Sequence, residues 1–372
     1  MDKTLLNLCE NFNVNGTFDS IKVLSSGHIN STFLVRFNDG GEIKEYILQK
    51  INKYVFKNPE QVMENIFNVT EHISKKLKNS GKPNARKVLN FHKTQDGKHF
   101  QIDEYGDYWR LYEYVNNSIT YNETNNLKVL EETGKAFGEF QQYLTDFPIK
   151  DLHIIIPHFH NTVNRYDIFK DTLMHDPVGR SEFASDEIQD FLSLEEIATR
   201  MYRMQKRGEL PLKVTHNDTK CNNVLFDKDS HNHLCVIDLD TVMPGLLGFD
   251  YGDAIRFAAN TSKEDETDLS KVTIDLNKFK AFTKGFLEKV GKNLTESEKD
   301  TLALGAVTMT LECGVRFLSD YLDGDHYFKT NYPQHNLDRA RCQLKLAKEM
   351  LNHMPEMTSI VEECFRHMQM GE

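Results

Sequence analysis

The chain has 372 residues, too many for one small core, and its 39% hydrophobic and 10% aromatic content is that of a folded protein rather than a disordered one. A formal net charge of -11 argues against a nucleic-acid binder, which would carry a basic excess along its phosphate-tracking face. Cys9, Cys221, Cys235, Cys313, Cys342 and Cys364 are scattered with no C-x-x-C pair, so neither a disulfide framework nor a zinc site is read from them, and a reducing, cytoplasmic setting is expected.

The opening stretch, "MDKTLLNLCENFNVNG", has neither the basic start nor the continuous apolar core of an export signal. Strands follow. Ile21–Leu24, Thr32–Phe37 and Tyr46–Ile51 are apolar or β-branched runs, and "NDGG" at 38–41 carries hairpin-turn chemistry, so a three-stranded antiparallel meander is expected. Asn58-Pro59 opens a helix in which Val62, Ile66, Val69 and Ile73 share a face. "KHFQIDEYG" and "YWRLYEYV" read as two more strands, the second running into the polar connector "NNSITY". A β-rich lobe of residues 1–115 is expected to end there, as the nucleotide-binding part.

From residue 116 the period turns helical. "NLKVLEETGKAFGEFQQYL" puts Leu130, Phe137, Phe140 and Leu144 on one face, and "SDEIQDFLSLEEIATRMYRM" does the same with Ile188, Phe191, Ile197 and Met201. The run Thr301–Leu318 is interrupted by Glu312 and Arg316 and falls short of the ~20 apolar residues of a membrane span, so it reads as a central buried helix and no membrane partner is expected. "NLDRARCQLKLAKEMLNHM" is a further amphipathic helix. The expected class is α+β: a small β-rich lobe, then a mainly helical lobe, residues 116–372, for catalysis and acceptor binding. The oligomeric state is left open.

Inside the helical half lies a polar island. In "VTHNDTKCNNVLF", His216, Asp218 and Asn223 fit H-x-D-x-x-x-x-N, and Asp238 follows in "VIDLD" after an apolar strand. Transfer of a γ-phosphoryl group needs a carboxylate at the acceptor hydroxyl, hard oxygen ligands for Mg2+, and a cation near the transferred charge. Asp218 can supply the first, Asn223 with Asp238 the second, and Lys220 the third. The competing reading is a hairpin whose Asn and Asp side chains satisfy turn backbone. His216 reads as support for the loop, Asp240 as either a second metal ligand or a local acceptor, and Asn222 as a turn former.

A kinase also needs a nucleotide cover. No G-x-x-x-x-G-K-[ST] occurs, which removes the P-loop class. "SSGHINST" offers Ser25, Ser26, Gly27 and His28 as a turn whose amides could cradle phosphates, a plain hairpin being the other reading. On the third strand Gln49 or Lys50 could reach the α- and β-phosphates, but alternation lets only one face the cleft, and charge favours Lys50. Glu64 would be its helix partner, with Glu71 as the alternative, a solvated surface acid being the other reading of either, and adenine is expected near the Glu113–Val115 connector. Arg316, Asp320, Tyr321, Asp323, Asp325 and Tyr327 combine aromatic and hydroxyl-binding groups, although the same stretch also reads as a helix end with a D-G turn. His158, His160 and Asn161 in "IPHFHNT" give H-x-H on one strand face with no third metal donor, so they read as structural. Gly252-Asp253 reads as a helix N-cap.

Taken together, "THNDTKCNNVLFD", "VIDLDTVMPGLLGFDYGDAIRFAAN" and "GVRFLSDYLDGDHYF" resemble the aminoglycoside phosphotransferase and choline kinase superfamily. The likeness extends to "YILQKINKYVFKNPEQVMENI", "GKAFGEFQ" and "IPHFHNTVNRY", and within the superfamily it points to kinases of N-acetylhexosamines. The resemblance implies a two-lobed protein-kinase-like fold and ATP-dependent phosphorylation of the anomeric hydroxyl of N-acetylglucosamine or N-acetylgalactosamine. It implies Asp218 as catalytic base, Asn223 and Asp238 as Mg2+ ligands, and Arg316, Tyr327 and Phe257 as sugar contacts. D-L-D stands where protein kinases have D-F-G. Choline, homoserine or an aminoglycoside remains an alternative acceptor, and an inactive kinase-fold binding protein an alternative of another class, against which the intact Asp218, Asn223 and Asp238 argue.

Overall fold

The computed structural model describes residues 3–24, 30–81 and 86–370. In chain order the first elements are α1 (Lys3–Glu10), β1 (Thr17–Leu24), β2 (Ser31–Asp39), β3 (Glu42–Lys50), α2 (Pro59–Asn79), β4 (Phe91–His92), β5 (Gln101–Ile102), β6 (Tyr108–Glu113) and β7 (Ser118–Ile119). Next come α3 (Leu127–Tyr143), α4 (Thr162–His175), α5 (Ser185–Ser193), α6 (Glu195–Lys206), β8 (Lys213–Thr215), β9 (Val224–Asp227), β10 (His233–Val236) and β11 (Met243–Gly245). The last are α7 (Leu247–Ala258), α8 (Leu276–Val290), α9 (Glu296–Asp323), α10 (His335–Asn352) and α11 (Met354–Met370). The class is α+β, with the sheet in the N-terminal region and helices in the C-terminal region. Two compact units result: Met1–Ile119 with Asp146–Pro157 and Leu225–Pro244, and Thr120–Thr145 with His158–Val224 and Gly245–Glu372.

In the first unit the sheet order is β1-β2-β3-β6-β4, with β5 also on β6. β2 and β3 pair in register from Ser31 with Lys50 to Asp39 with Glu42. Their turn closes because Gly40 and Gly41 take φ of 62° and 100°, values that cost a residue without a Cβ nothing. One face of this meander buries Val35, Phe37, Tyr46 and Leu48 with Trp109 and Leu111 of β6, and α1 adds Leu8 and Cys9. α2 buries Val62, Ile66, Val69 and Ile73, the stripe its spacing predicts. "KHFQIDEYG" is strand only at Gln101–Ile102, because Asp103 turns the chain: its carboxylate accepts the Tyr105 and Asp107 amides at 2.9 Å and the Trp109 indole N–H at 2.8 Å. A single boundary after residue 115 is not the whole division. Residues 225–244 return to this unit, where β9 pairs with β7 and Leu234 and Cys235 join Leu89 and Val115 in an apolar cluster.

In the second unit α9 is the central buried helix expected around 301–318. A capping box of Thr295 and Glu298 starts it, and 89% of its most apolar window is buried inside the protein. By length and composition α9 could cross a membrane; its burial is that of a core helix. α7 crosses it at backbone contact, since a Cβ on Gly252 would lie 2.2 Å from the Gly305 carbonyl oxygen and one on Gly305 would lie 2.2 Å from that of Gly248. Gly252-Asp253 is therefore not an N-cap; both residues lie inside α7, and the glycine is there for the crossing. The helix expected over 185–204 is two, α5 and α6, broken at Leu194, whose amide is shared between the Asp190 and Phe191 carbonyls. "IPHFHNT" is not a strand: His158 turns the chain at φ 59° and the Asn161 side chain caps α4 through the Asn164 amide at 3.0 Å.

Candidate active site

β8 delivers the chain to the polar loop, and α7 pins it. The Asp250 carboxylate accepts the amides of His216 at 2.8 Å and Asn217 at 2.7 Å, and the Gln141 amide at 2.9 Å. Asp253, one helical turn on, accepts the Thr219 amide at 3.2 Å, while the Thr219 hydroxyl donates to the Asp250 carbonyl at 2.5 Å. Burial pushes the Asp250 carboxyl above the ordinary carboxylate range, although His216 and the two amides pull against it. For Asp253, burial is outweighed by Arg256 and Lys220, which hold it below that range. These two acids carry no sequence motif. Their signal was an i, i+3 acid pair on an otherwise apolar helix, a placement that needs buried partners.

The loop's own residues add to its rigidity. Asn217 takes the left-handed conformation at φ 65°, which Asn tolerates, and its side chain is tied to Thr215. His216 is fully buried with Phe137 and Phe140 edge-on at 5.6 and 6.0 Å, and its Nδ1 accepts the Asp218 amide at 3.3 Å. It supports the loop, as the sequence suggests.

Asp218, Lys220 and Asn223 come together. The Lys220 ammonium lies 2.8 Å from Asp218 Oδ1, and Asn223 Nδ2 donates to the Asp218 carbonyl at 2.8 Å and to Oδ2 at 3.2 Å. Burial opposes the Lys220 charge, but Asp218 more than offsets it and raises the lysine pKa. The same ammonium stands 5.3 Å from the Phe257 ring, with the Arg256 guanidinium 3.9 Å from that ring. Because the Asn223 amide nitrogen is committed to Asp218, its Oδ1 is the atom left for a cation, a hard oxygen of the kind Mg2+ takes. Lys220, Asn222, Phe257, Asn260, Ser262 and Lys263 line part of a cavity of about 790 Å3. Asn222 Oδ1 is buried there with no hydrogen-bond partner.

The segment after α9 has a different character. Arg316 stands 5.7 Å from the Tyr327 ring and 5.4 Å from that of Phe328, and Tyr327 is 73% exposed. Asp320 is committed to the turn, accepting the amides of Tyr327 and Phe328 at 2.7 and 2.9 Å and the Asn336 side chain at 2.9 Å. Asp325 takes Arg180 at 2.5 Å and Asn336 at 2.8 Å, and Tyr321 lies under the Arg180 guanidinium at 4.8 Å. These acids therefore build the loop that Gly324 opens at φ 102°, so the D-G turn is real and Asp320 and Asp325 have their acceptors filled.

In the first unit, alternation separates Gln49 from Lys50. Lys50 and Lys53 both pair with Asp107, at 2.8 and 2.9 Å. Gln49 belongs to a cross-strand row with Thr32 and Arg110: it donates to the Thr32 hydroxyl at 3.0 Å and accepts from Arg110 at 2.6 and 3.0 Å. Arg110, 3% exposed, meets both Asp240 oxygens, and Asn30 donates to Asp240 at 2.6 Å. Burial opposes the guanidinium charge, and Asp240 more than restores it. Asp240 thus accepts from Arg110 and Asn30, the local-acceptor role of its two readings. Glu64 is not the partner of the third strand's basic residue: its carboxylate meets the His153 ring at 2.5 Å, and Glu71 pairs with Lys75. Arg110–Asp240 is a carboxylate–cation pair buried in this unit, which sequence reasoning missed; an arginine between apolar neighbours in "YWRLY" was the available signal.

Asp238 follows β10 in the left-handed conformation at φ 59°, with its charge acting on Arg110 and Tyr112. Glu113 is held below the usual carboxylate range by His92, with Asn90 donating at 2.8 Å, and Val115 is buried. Ser25, Ser26, Gly27 and His28 lie outside the described residues. Among the described residues there is no group of three or more His, Cys, Asp or Glu side chains that could hold a metal on its own.

The geometry agrees with what the chain resembles. A model of the phosphotransferase enzyme family matches residues 20–272, more than half of the sequence. Among solved structures, choline kinase from Cryptosporidium parvum is similar at 13% identity, with 98% of this chain and 99% of that one covered and a TM-score of 0.57. An aminoglycoside phosphotransferase from Alicyclobacillus acidocaldarius is similar at 11% identity over 96% of both chains, with a TM-score of 0.58. Spectinomycin phosphotransferase in complex with ADP and spectinomycin is similar at 13% identity over 94% of this chain and 96% of that one, TM-score 0.54. At such identities the structures share a fold, and it is the family match that classifies the sequence: the chain belongs to the phosphotransferase enzyme family.

Proposed function

We propose that the chain is an ATP-dependent kinase that phosphorylates the anomeric hydroxyl of N-acetylhexosamines, N-acetylglucosamine and N-acetylgalactosamine, in a cytoplasmic setting. The observation that carries the chemistry is the pinned Asp218, with Lys220 2.8 Å from its carboxylate and Asn223 donating to it. A general base must be held within reach of the hydroxyl proton, and Asp250 and Asp253 fix the loop for that task.

In this reading the first unit takes the nucleotide: adenine near Glu113 and Val115, phosphates near Ser25, Ser26, Gly27 and His28 and the Gln49 row. Asn223 Oδ1 and the Asp238 carboxylate would supply hard oxygens for Mg2+, which when bound would neutralise phosphate charge. Asp218 orients the sugar hydroxyl and takes its proton as the oxygen bonds to the γ-phosphorus. The bond from that phosphorus to the bridging oxygen breaks, and ADP leaves with the electron pair. Lys220 lies beside the charge that develops.

The sugar class is supported by the sequence resemblance and by the cavity next to Lys220, which is lined by Asn, Ser and Thr side chains with Phe257 as an aromatic wall. Arg316 and Tyr327 remain the further sugar contacts that the resemblance implies. Choline and aminoglycosides are cationic and want aromatic cages or acids. Lys220, Arg256, Lys263 and Lys278 line this cavity together with Glu123, Glu264 and Glu266, so its lining is of mixed charge and the resemblance carries the choice of acceptor. A screen of ATP consumption over N-acetylhexosamines, simple hexoses, choline, homoserine and aminoglycosides tests the reading. N-acetylhexosamines should give the highest kcat/KM; a cationic acceptor ahead of them would overturn it.

A further inference from the structure

His160 reads from the sequence as structural, yet it touches the loop that carries Asp218. Its Nδ1 lies 2.8 Å from Glu312 Oε1, and its Nε2 lies 3.3 Å from the Asn217 carbonyl oxygen. Glu312, 1% exposed, has its other oxygen filled by the Thr162 hydroxyl at 2.7 Å. A carboxylate and a carbonyl can only accept, so both ring nitrogens must donate, and only the imidazolium has two N–H groups. We infer that His160 is a positioning residue that stays doubly protonated at neutral pH, clamping the Asn217 carbonyl while Asp250 clamps the Asn217 amide, so that the left-handed turn before Asp218 is fixed from both sides.

The surroundings favour that charge. Glu312 and Arg316 act on the ring from α9 and Asp253 from α7, the buried Asp250 of α7 also interacts with it, and Arg165 of α4 acts on Glu312; the Phe159 and Phe249 rings stand at 4.5 and 6.0 Å. Burial works against protonation, Glu312 outweighs it, and the histidine pKa lies above its ordinary value. With a raised folded-state pKa, the clamp is complete at low and neutral pH and is lost as pH rises through that value. Its loss removes one donor from the Asn217 carbonyl and loosens the turn, and the Asp218 carboxylate should then wander, lowering turnover on the alkaline side with little effect on nucleotide affinity.

The catalytic consequence rests on Asp218 being the acceptor base; the protonation state does not, so two experiments separate them. Nitrogen-15 NMR of the full-length, ligand-free chain labelled at histidine should show one imidazole with both nitrogens protonated above pH 7, and that signal should vanish in His160→Gln. A neutral tautomer at pH 7 would overturn the inference whatever the enzyme phosphorylates. In the second, Glu312→Gln removes the counter-charge and should move the alkaline limb of kcat down by about one pH unit or more while leaving the KM for ATP within about twofold. A limb that stays in place, in a variant whose fold is confirmed by circular dichroism, would show that His160 only fills space.

Discussion

Removing the Arg110 guanidinium by Arg110→Ala should damage the first unit more than any surface change. The side chain is 3% exposed and meets both oxygens of Asp240, itself 2% exposed, so the substitution leaves a buried carboxylate with Asn30 as its remaining donor among the bonds described. Breaking such a pair from one side costs about 3–5 kcal/mol, and the Gln49 oxygen, which loses two donors, adds about 1 kcal/mol. Urea denaturation followed by tryptophan fluorescence measures this directly, because Trp109 is the chain's one tryptophan, adjoins Arg110 and is 5% exposed. With a slope of about 2–3 kcal/mol per molar urea, the upper part of the usual range for a chain of this size, the midpoint of the Trp109 transition should fall by about 1–3 M. The double variant Arg110→Met/Asp240→Leu should recover most of the loss, since replacing both partners by apolar groups leaves no unpaired charge. A single variant within about 1 kcal/mol of the wild type would refute the reasoning, because it would mean that the pair is hydrated or absent in solution.

Asp218→Asn keeps the shape of the loop but removes the base, so kcat should fall by about 10²–10⁴ while fluorescent-nucleotide titration shows ATP binding unchanged. Asp238→Ala should weaken binding of ATP in the presence of Mg2+ together with turnover, and titration calorimetry with and without the metal should show the difference collapse. Gly252→Ala places a Cβ 2.2 Å from the Gly305 carbonyl oxygen; thermal melts should show a loss of about 1–3 kcal/mol, with the α7–α9 crossing forced apart.

How much of this was legible in the sequence depends on the range of the interaction concerned. The β1–β3 meander, the α2 stripe and the buried α9 follow from periodicity and turn residues, which are local. The cluster of Asp218, Lys220 and Asn223 was legible too, because the residues sit within six positions and one short loop joins them. Partner choice over distance was not legible. Glu64 stood open between a partner for the third strand and a surface acid, and it is His153, 89 positions on, that reaches it; Asp240 stood open between metal ligand and acceptor, and Arg110 meets it across 130 positions. Gly252 was misread for a related reason: locally a glycine before an acid suggests a helix end, whereas here the missing side chain serves a neighbouring helix. The stretch holding Asp320 and Asp325 read either as a sugar site or as a helix end with a D-G turn, and their amide and arginine partners place both acids in the turn.

The central claim is transfer of a phosphoryl group to the anomeric oxygen of an N-acetylhexosamine with Asp218 as the base. Phosphorus–proton correlation NMR of the product formed from ATP and N-acetylglucosamine tests it most directly. A cross-peak from phosphorus to the anomeric proton, present with the wild type and lost with Asp218→Asn, is the expected result. Phosphate on any other hydroxyl, or product formed at an undiminished rate by Asp218→Asn, would contradict the account.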